Sequence, residues 1–251
     1  MKKLKIILPF LILLVWQVLS FKKVLPSYKI PSPLEIIDAL KTLIIVGLPS
    51  GYRLHGHALE SLLRVGYGFV MATGLGVPLG IFMGWSKNFR QLITPLIEVV
   101  RPIPPLAWIP IAIIWLGIGI KSASFIIFLG AFFPILLNTV AGVLSVDPIL
   151  IEASKTLGAK DKHILLKVLF PGAMPNIFTG LRIGMGIGWM TLVAAEFTGV
   201  KSGYGLGYLI MIARDVQRPD EIVAGMIVIG LIGYFLDGIF RLYEARVLKW
   251  R

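Results

Sequence analysis

Cysteine is absent from this 251-residue chain, and with it go disulfides, thiolate nucleophiles and thiolate metal ligands. Histidine occurs three times, as His55, His57 and His163, none beside a nucleophile, and no H-E-x-x-H pair of zinc ligands is present. His55 and His57 read as part of a solvated turn rather than as a metal pair. No G-x-x-x-x-G-K-[ST] phosphate loop occurs, so the chain is not expected to bind and hydrolyse ATP itself. Gly84-Trp85-Ser86-Lys87 begins like a G-x-S-x-G serine elbow, but Asn88 stands where the second glycine belongs. Gly184, Gly186 and Gly188 have neither the preceding strand nor the third-glycine spacing of a dinucleotide fingerprint. Charge is scarce as well, at 15% of residues, and so few ionisable groups inside the apolar runs argue against a proton relay. With Ser86 and His163 as the nearest candidates, an intramembrane hydrolase has little to work with.

Apolar residues make up 57% of the chain, which points to lipid as the solvent and to an all-α, polytopic membrane protein. About 20 apolar residues at about 1.5 Å each cross the hydrocarbon. Uncharged runs of about that length cover residues 6–21, 65–86, 102–120 and 122–146. Allowing one ionisable residue in or near each adds 177–199 and 222–240, for about six crossings. The net charge of +12 comes without basic clusters interleaved with stacking aromatics, so a nucleic-acid partner is not expected. Lys and Arg instead flank spans and mark cytoplasmic loops. With the N-terminus inside, residues 1–5, 85–101, 147–182 and 241–251 are cytoplasmic and hold 15 of the 25 basic residues. Residues 1–21 resemble a secretory signal in layout, but the long apolar run and Val18-Leu19-Ser20 fit an uncleaved first helix better.

Ser32-Pro33-Leu34-Glu35 opens an expected amphipathic helix with Leu34, Ile37, Leu40 (or Lys41) and Ile44 on one side, lying along the outer membrane surface. Gly68, Ala72, Gly76, Gly80 and Gly84 recur every four residues in the second span, and Gly180, Gly184 and Gly188 do so in the fifth. Such stripes let a neighbouring helix approach closely. Pro78 is expected to kink the second span, and Glu98 to pair with Arg101 one turn on. Residues 101–110 read RPIPPLAWIP, with four prolines in an apolar block. The freed backbone groups need protein or a water-filled cavity around them. Two readings stay open: a bend that shapes the bundle, or a segment bordering a solute path through Arg101, Pro104, Pro105 and Trp108. Glu196, inside the fifth apolar run, must face the bundle interior, an aqueous vestibule or a cation such as Arg101 or Lys201. It reads either as a helix-end group at the outer interface or as a contact for the solute. Residues 201–220 form a glycine-rich external connection with a short helix.

The longest polar stretch between apolar blocks is 147–171, DPILIEASKTLGAKDKHILLKVLFP. Asp147 is a good N-cap with Pro148 at the first helical position, so a helix runs from Pro148 to about Leu157 and ends at Gly158. A second helix starts near Asp161 and should stop before Pro171. Ile149, Leu150, Ala153 and Leu157 share one face of the first segment, and Ile164, Leu165 and Val168 one face of the second. A water-facing helix–turn–helix in so apolar a chain offers a partner something to grip.

Glu152-Ala153-Ser154, three residues, Gly158, nine residues and then Val168-Leu169-Phe170-Pro171 resembles the EAA loop of permease subunits in binding-protein-dependent ABC importers. Ser154, Val168 and Phe170 depart mildly from that pattern. Residues 101–110, Gly180-Leu181-Arg182 and Val193-Ala194-Ala195-Glu196 resemble the branch that imports nitrate, sulfonates and taurine. The resemblance implies a type I importer fold, with residues 59–244 as the transmembrane domain, 1–58 as an added N-terminal segment and 245–251 as a basic cytoplasmic tail. It implies two ATPase subunits carrying the ATP and magnesium, an external or periplasmic solute-binding protein, a second permease copy and the lipid of the plasma or inner membrane. This chain itself would bind no cofactor. Carried over residue by residue, Glu152, Ala153, Ser154, Leu157, Gly158, Ala159 and Lys160 form the coupling element. The alternative, a stand-alone secondary transporter or channel, transports without any ATPase.

Overall fold

The computed structural model describes residues 4–197 and 203–248, and no strand occurs among them. In chain order the helices are α1 (Leu4–Phe21), α2 (Pro33–Ile45), α3 (Leu54–Trp85), α4 (Lys87–Val100), α5 (Ile109–Leu116), α6 (Ile120–Leu144), α7 (Pro148–Thr156), α8 (Asp161–Ile164), α9 (Phe170–Phe197), α10 (Leu206–Asp215) and α11 (Pro219–Val247). A 3₁₀ turn, Pro105–Trp108, precedes α5, and a π turn, Leu165–Leu169, joins α8 to α9. Four helical stretches are long and apolar enough to cross a membrane: Leu54–Trp85, Ile120–Leu144, Asp161–Phe197 and Pro219–Val247. A fifth span arises if Lys87–Val100 and Pro105–Leu116 count together, and α1 adds a shorter apolar stretch, Phe10–Phe21. Six is reached only with both additions. Residues 102–120 form no single straight span, because their prolines interrupt the ladder and Gly117 (φ 74°) ends α5.

The chain divides into two compact units, Leu63–Ala195 with Gly233–Arg251, and Met1–Leu62 with Glu196–Ile232. In the first, α6 is the most enclosed helix, and the glycine stripes lie against it. A methyl group at Gly80 would sit 2.6 Å from Thr139 Cβ, and one at Gly68 2.7 Å from Ile127. On α9, one at Gly180 would lie 2.8 Å from Asn138 Cβ, and one at Gly184 2.8 Å from Ile135 Cγ1. Methyl groups at Gly76 and Gly188 would lie 3.1 and 3.3 Å from Ile135 and Ile127 Cγ2. Backbones this close gain dispersion contacts that lipid cannot match, which drives helix association without a hydrophobic term. Gly80→Leu is therefore expected to destabilise the detergent-solubilised protein by about 1–3 kcal/mol or more through overpacking. Gly74→Leu, where nothing lies within 4 Å, should leave the thermal midpoint nearly unchanged. Equal midpoints for the two variants would refute the close-packing account.

Pro171 does not end the second helix of 147–171. Phe170 N–H bonds to Leu165 O, a span of five residues. The wider π turn moves the carbonyl that a proline ring would otherwise strike, so the helix continues through Pro171 and Pro175 into α9. Pro78 likewise lies inside an unbroken α3. Among the described residues Glu98 and Arg101 do not pair with each other, and both are exposed. Ser86 caps α4, its Oγ accepting from Phe89 N–H at 3.3 Å. Beside α9, Arg182 donates to Asp237, which also accepts from Arg241, in a network the sequence did not announce.

In the second unit, α2 starts with a capping box: Glu35 N–H donates to Ser32 Oγ at 3.2 Å and Ser32 N–H to Glu35 Oε2 at 2.6 Å. That backbone donor holds the Glu35 carboxyl below the usual carboxylate range. Ile36, Ala39 and Leu43 pack inward, and Leu34, Ile37 and Ile44, the side expected to lie on the membrane surface, stay exposed. His57 overturns the solvated-turn expectation. It lies in the first turn of α3, wholly buried, with Nδ1 at Gly205 and Nε2 3.1 Å from the carbonyls of Leu48 and Tyr52.

Candidate functional site

The loop between α6 and α9 is built by local chemistry. Asp147 caps α7, its carboxylate accepting from Ile149 N–H at 2.9 Å, and Pro148 occupies a position that needs no donor. At the other end Gly158 N–H donates to Lys155 O (2.9 Å) and Ala159 N–H to Ser154 O (3.0 Å). With Gly158 at φ +76°, these two bonds form a Schellman motif that satisfies the last carbonyls and turns the chain sharply. Ser154 Oγ and Thr156 Oγ1 bond back to Leu150 O and Glu152 O, holding those side chains against α7.

Packing decides which face of α7 stays free. Val143, Val146, Ile164, Leu169, Ala173 and Ile177 form a buried cluster, and Ile151 and Ala159 lean on it. No residue of α7 is itself buried. Anchoring through Ile151 leaves Ile149, Leu150, Glu152, Ala153 and Leu157 exposed, with Leu157 at 89%. Gly158 and Lys160 are exposed beside them, while Ser154 and Ala159 are partly covered. The helix thus presents a small apolar face rimmed by Glu152 and Lys160. Isolated exposed leucines are ordinary, but a contiguous apolar face on a polar loop marks a contact surface.

Four other sequence-derived residues gather at the break after α4. Arg101 is the exposed C-cap of α4, Pro104 and Pro105 start the 3₁₀ turn, and Trp108 leads into α5. The helices on either side are bent by 80°, as in a broken span or re-entrant loop. Trp108 packs against the cluster of Ala112, Ala123, Ile126 and Ala195, on the α5 side of the break.

Glu196 belongs to the other compact unit. It is fully buried and reaches no interface: its Oε1 accepts from Ser61 Oγ at 2.8 Å and its Oε2 from Gly207 N–H at 2.8 Å. Lys201, one expected partner, lies outside the described residues. Ser61 was missed in the sequence, since nothing local links it to a glutamate 135 residues away.

The model of the family described as "Binding-protein-dependent transport system inner membrane component" matches residues 76–249. A putative ABC transporter permease protein of Methanocaldococcus jannaschii is 45% identical over 251 residues, covering 99% of this chain and 92% of its own. A putative aliphatic sulfonates transport permease protein of Bacillus subtilis is 37% identical over 246 residues, 98% of this chain and 87% of its own. Among solved structures, an inward-facing form of the MetNI methionine ABC transporter aligns with a TM-score of 0.67 at 18% identity, covering 77% of this chain and 97% of its own. Fold, loop and relatives agree: the chain belongs to the binding-protein-dependent transport system inner membrane components and is a permease subunit of an ABC importer.

Proposed function

We propose that the chain forms the conduit for a small sulfonate-like anion and is driven by two ATPase subunits gripping α7. The observation that carries this reading is the free apolar face of α7, held out by Ile151 and Ala159 and ended by the Gly158 turn. Closure of a nucleotide-bound ATPase pair would move that helix, and the permease would rock between inward-open and outward-open states. The 80° break at residues 101–110 borders the path, since irregular backbone at membrane depth needs protein or water around it. Two copies of the chain pair around that path. Both termini and the 147–171 loop face the cytoplasm, with residues 59–244 as the transmembrane domain, preceded by a separate N-terminal segment and followed by a basic tail. The substrate class follows the name of the Bacillus relative and the basic residues of 22–64.

Reconstitution tests this. Vesicles holding this chain, its ATPase and its binding protein should take up an alkyl sulfonate only with ATP inside. Uptake without the ATPase would favour the stand-alone transporter. Because the chain lacks cysteine, Lys160→Cys supplies a unique label site. An impermeant maleimide should reach it from the cytoplasmic side alone, and labelling of intact cells would overturn the orientation.

A further inference from the structure

α10 opens with three consecutive backbone N–H groups, each taken by a different side chain. Gly205 N–H donates to His57 Nδ1 (3.0 Å), Leu206 N–H to Ser61 Oγ (2.9 Å) and Gly207 N–H to Glu196 Oε2 (2.8 Å). The Ser61 hydroxyl in turn donates to Glu196 Oε1 at 2.8 Å. His57 bridges this joint with both ring nitrogens: Nε2 lies 3.1 Å from the carbonyls of Leu48 and Tyr52, and Nδ1 lies 2.9 Å from the carbonyl of Gly205 as well as beside its N–H. All three side chains are 0% exposed. The first amides of a helix need outside acceptors, and Gly205 at the N-cap has none to offer, so α3 and α9 supply them.

Close packing completes the joint. A methyl group at Gly205 would lie 2.8 Å from the Glu196 carboxyl carbon, so the carboxylate reaches the Gly207 amide only past glycine. The Tyr204 ring sits 4.6 Å from that of Tyr52 and 5.2 Å from that of His57, centroid to centroid. It also covers Gly56, where a methyl group would come within 2.5 Å of the ring.

Glu196 has a second property. It is the penultimate residue of a helix that runs unbroken from Asp161 to Phe197, 37 residues or about 55 Å at about 1.5 Å each. The start of that helix follows α7 across the Gly158 turn. We infer that Glu196, with Ser61 and His57, is the positioning group through which movement of the 147–171 loop, carried along α9, reaches α10. A buried carboxylate bonded to a backbone N–H and a buried hydroxyl is costly to strand, so α10 follows the end of α9 rather than detaching. The inference rests on reading α7 as the ATPase handle.

The test uses the complete complex with its ATPase and binding protein. Asp215→Cys, exposed on α10, carries the only thiol in the chain and takes a nitroxide label. A non-hydrolysable ATP analogue should alter the label's spectrum in the otherwise unmutated complex. Adding Glu196→Ala should abolish that response and lower solute taken up per ATP hydrolysed about tenfold or more, while hydrolysis continues. A merely structural role would lower uptake and hydrolysis together and leave their ratio unmoved. Glu196→Gln, which keeps the shape and one acceptor oxygen, should give a smaller fall in the same ratio and carries the test if the alanine variant does not fold. An unchanged label response and ratio in these variants overturns the inference. So does a label that ignores the nucleotide in the unmutated complex; recovery of the ATPase with that complex then tells whether the handle reading survives.

Discussion

Replacing Gly158 with valine is expected to leave the permease inserted and to cut ATP-driven uptake on the order of tenfold. No atom lies within 4 Å of where its Cβ would stand, so crowding is not the cause. The cause is backbone: at φ +76° a side chain costs roughly 1–2 kcal/mol, and a β-branched one more. Relief would require turning the peptide away and giving up the bonds to Lys155 O and Ser154 O. α7 would then leave the chain in another direction. A bias of that size changes the population of the native turn roughly 5–30-fold, which should appear as lost uptake for each ATP consumed. Gly158→Asn, tolerant of the left-handed region, should retain most activity. Unmutated rates of both uptake and hydrolysis in the valine variant would show that the turn plays no part in coupling.

Leu157→Asp should weaken capture of the ATPase subunits about ten- to a hundredfold, read as their recovery with tagged permease over a dilution series. Leu157 is 89% exposed, so it contributes little to the fold on its own, and the variant should insert and keep its thermal midpoint. Covering a leucine side chain is worth about 1.5–3 kcal/mol, and a buried aspartate would add a desolvation cost. If recovery and midpoint both match the unmutated protein, α7 is not the gripped surface.

What could be read from residues alone followed the range of the interactions. Asp147, Pro148 and Gly158 act within a few positions of themselves, and α7 begins and ends where they indicate. The prolines of 101–110 announced a break, though neither its 80° angle nor the packing of Trp108 against residues of α6 and α9. Pro171 misled because Phe170 before it keeps helical angles (φ −61°, ψ −50°), the conformation a following proline disfavours, and the chain continues from the π turn into α9. On α2 the Leu34, Ile37 and Ile44 stripe is legible in the sequence, but the packed side, Ile36, Ala39 and Leu43, is not, because against lipid an exposed apolar stripe costs nothing. His57, Ser61 and Glu196 find partners 135–148 residues away, beyond any local pattern.

The π turn at Leu165–Leu169 also sets the angular phase of everything after it. Ile164 and Leu169 are five positions apart, whereas Leu169, Ala173 and Ile177 follow at intervals of four, yet all four point into one cluster. In a regular α-helix each residue advances about 100°, so a spacing of five would have turned Ile164 well off that azimuth. The extra residue absorbed by the wide turn cancels the drift. Removing one residue inside that turn would restore α periodicity with the faces still aligned. Removing one just beyond it would twist the glycine edge of α9 by about 100° relative to the handle.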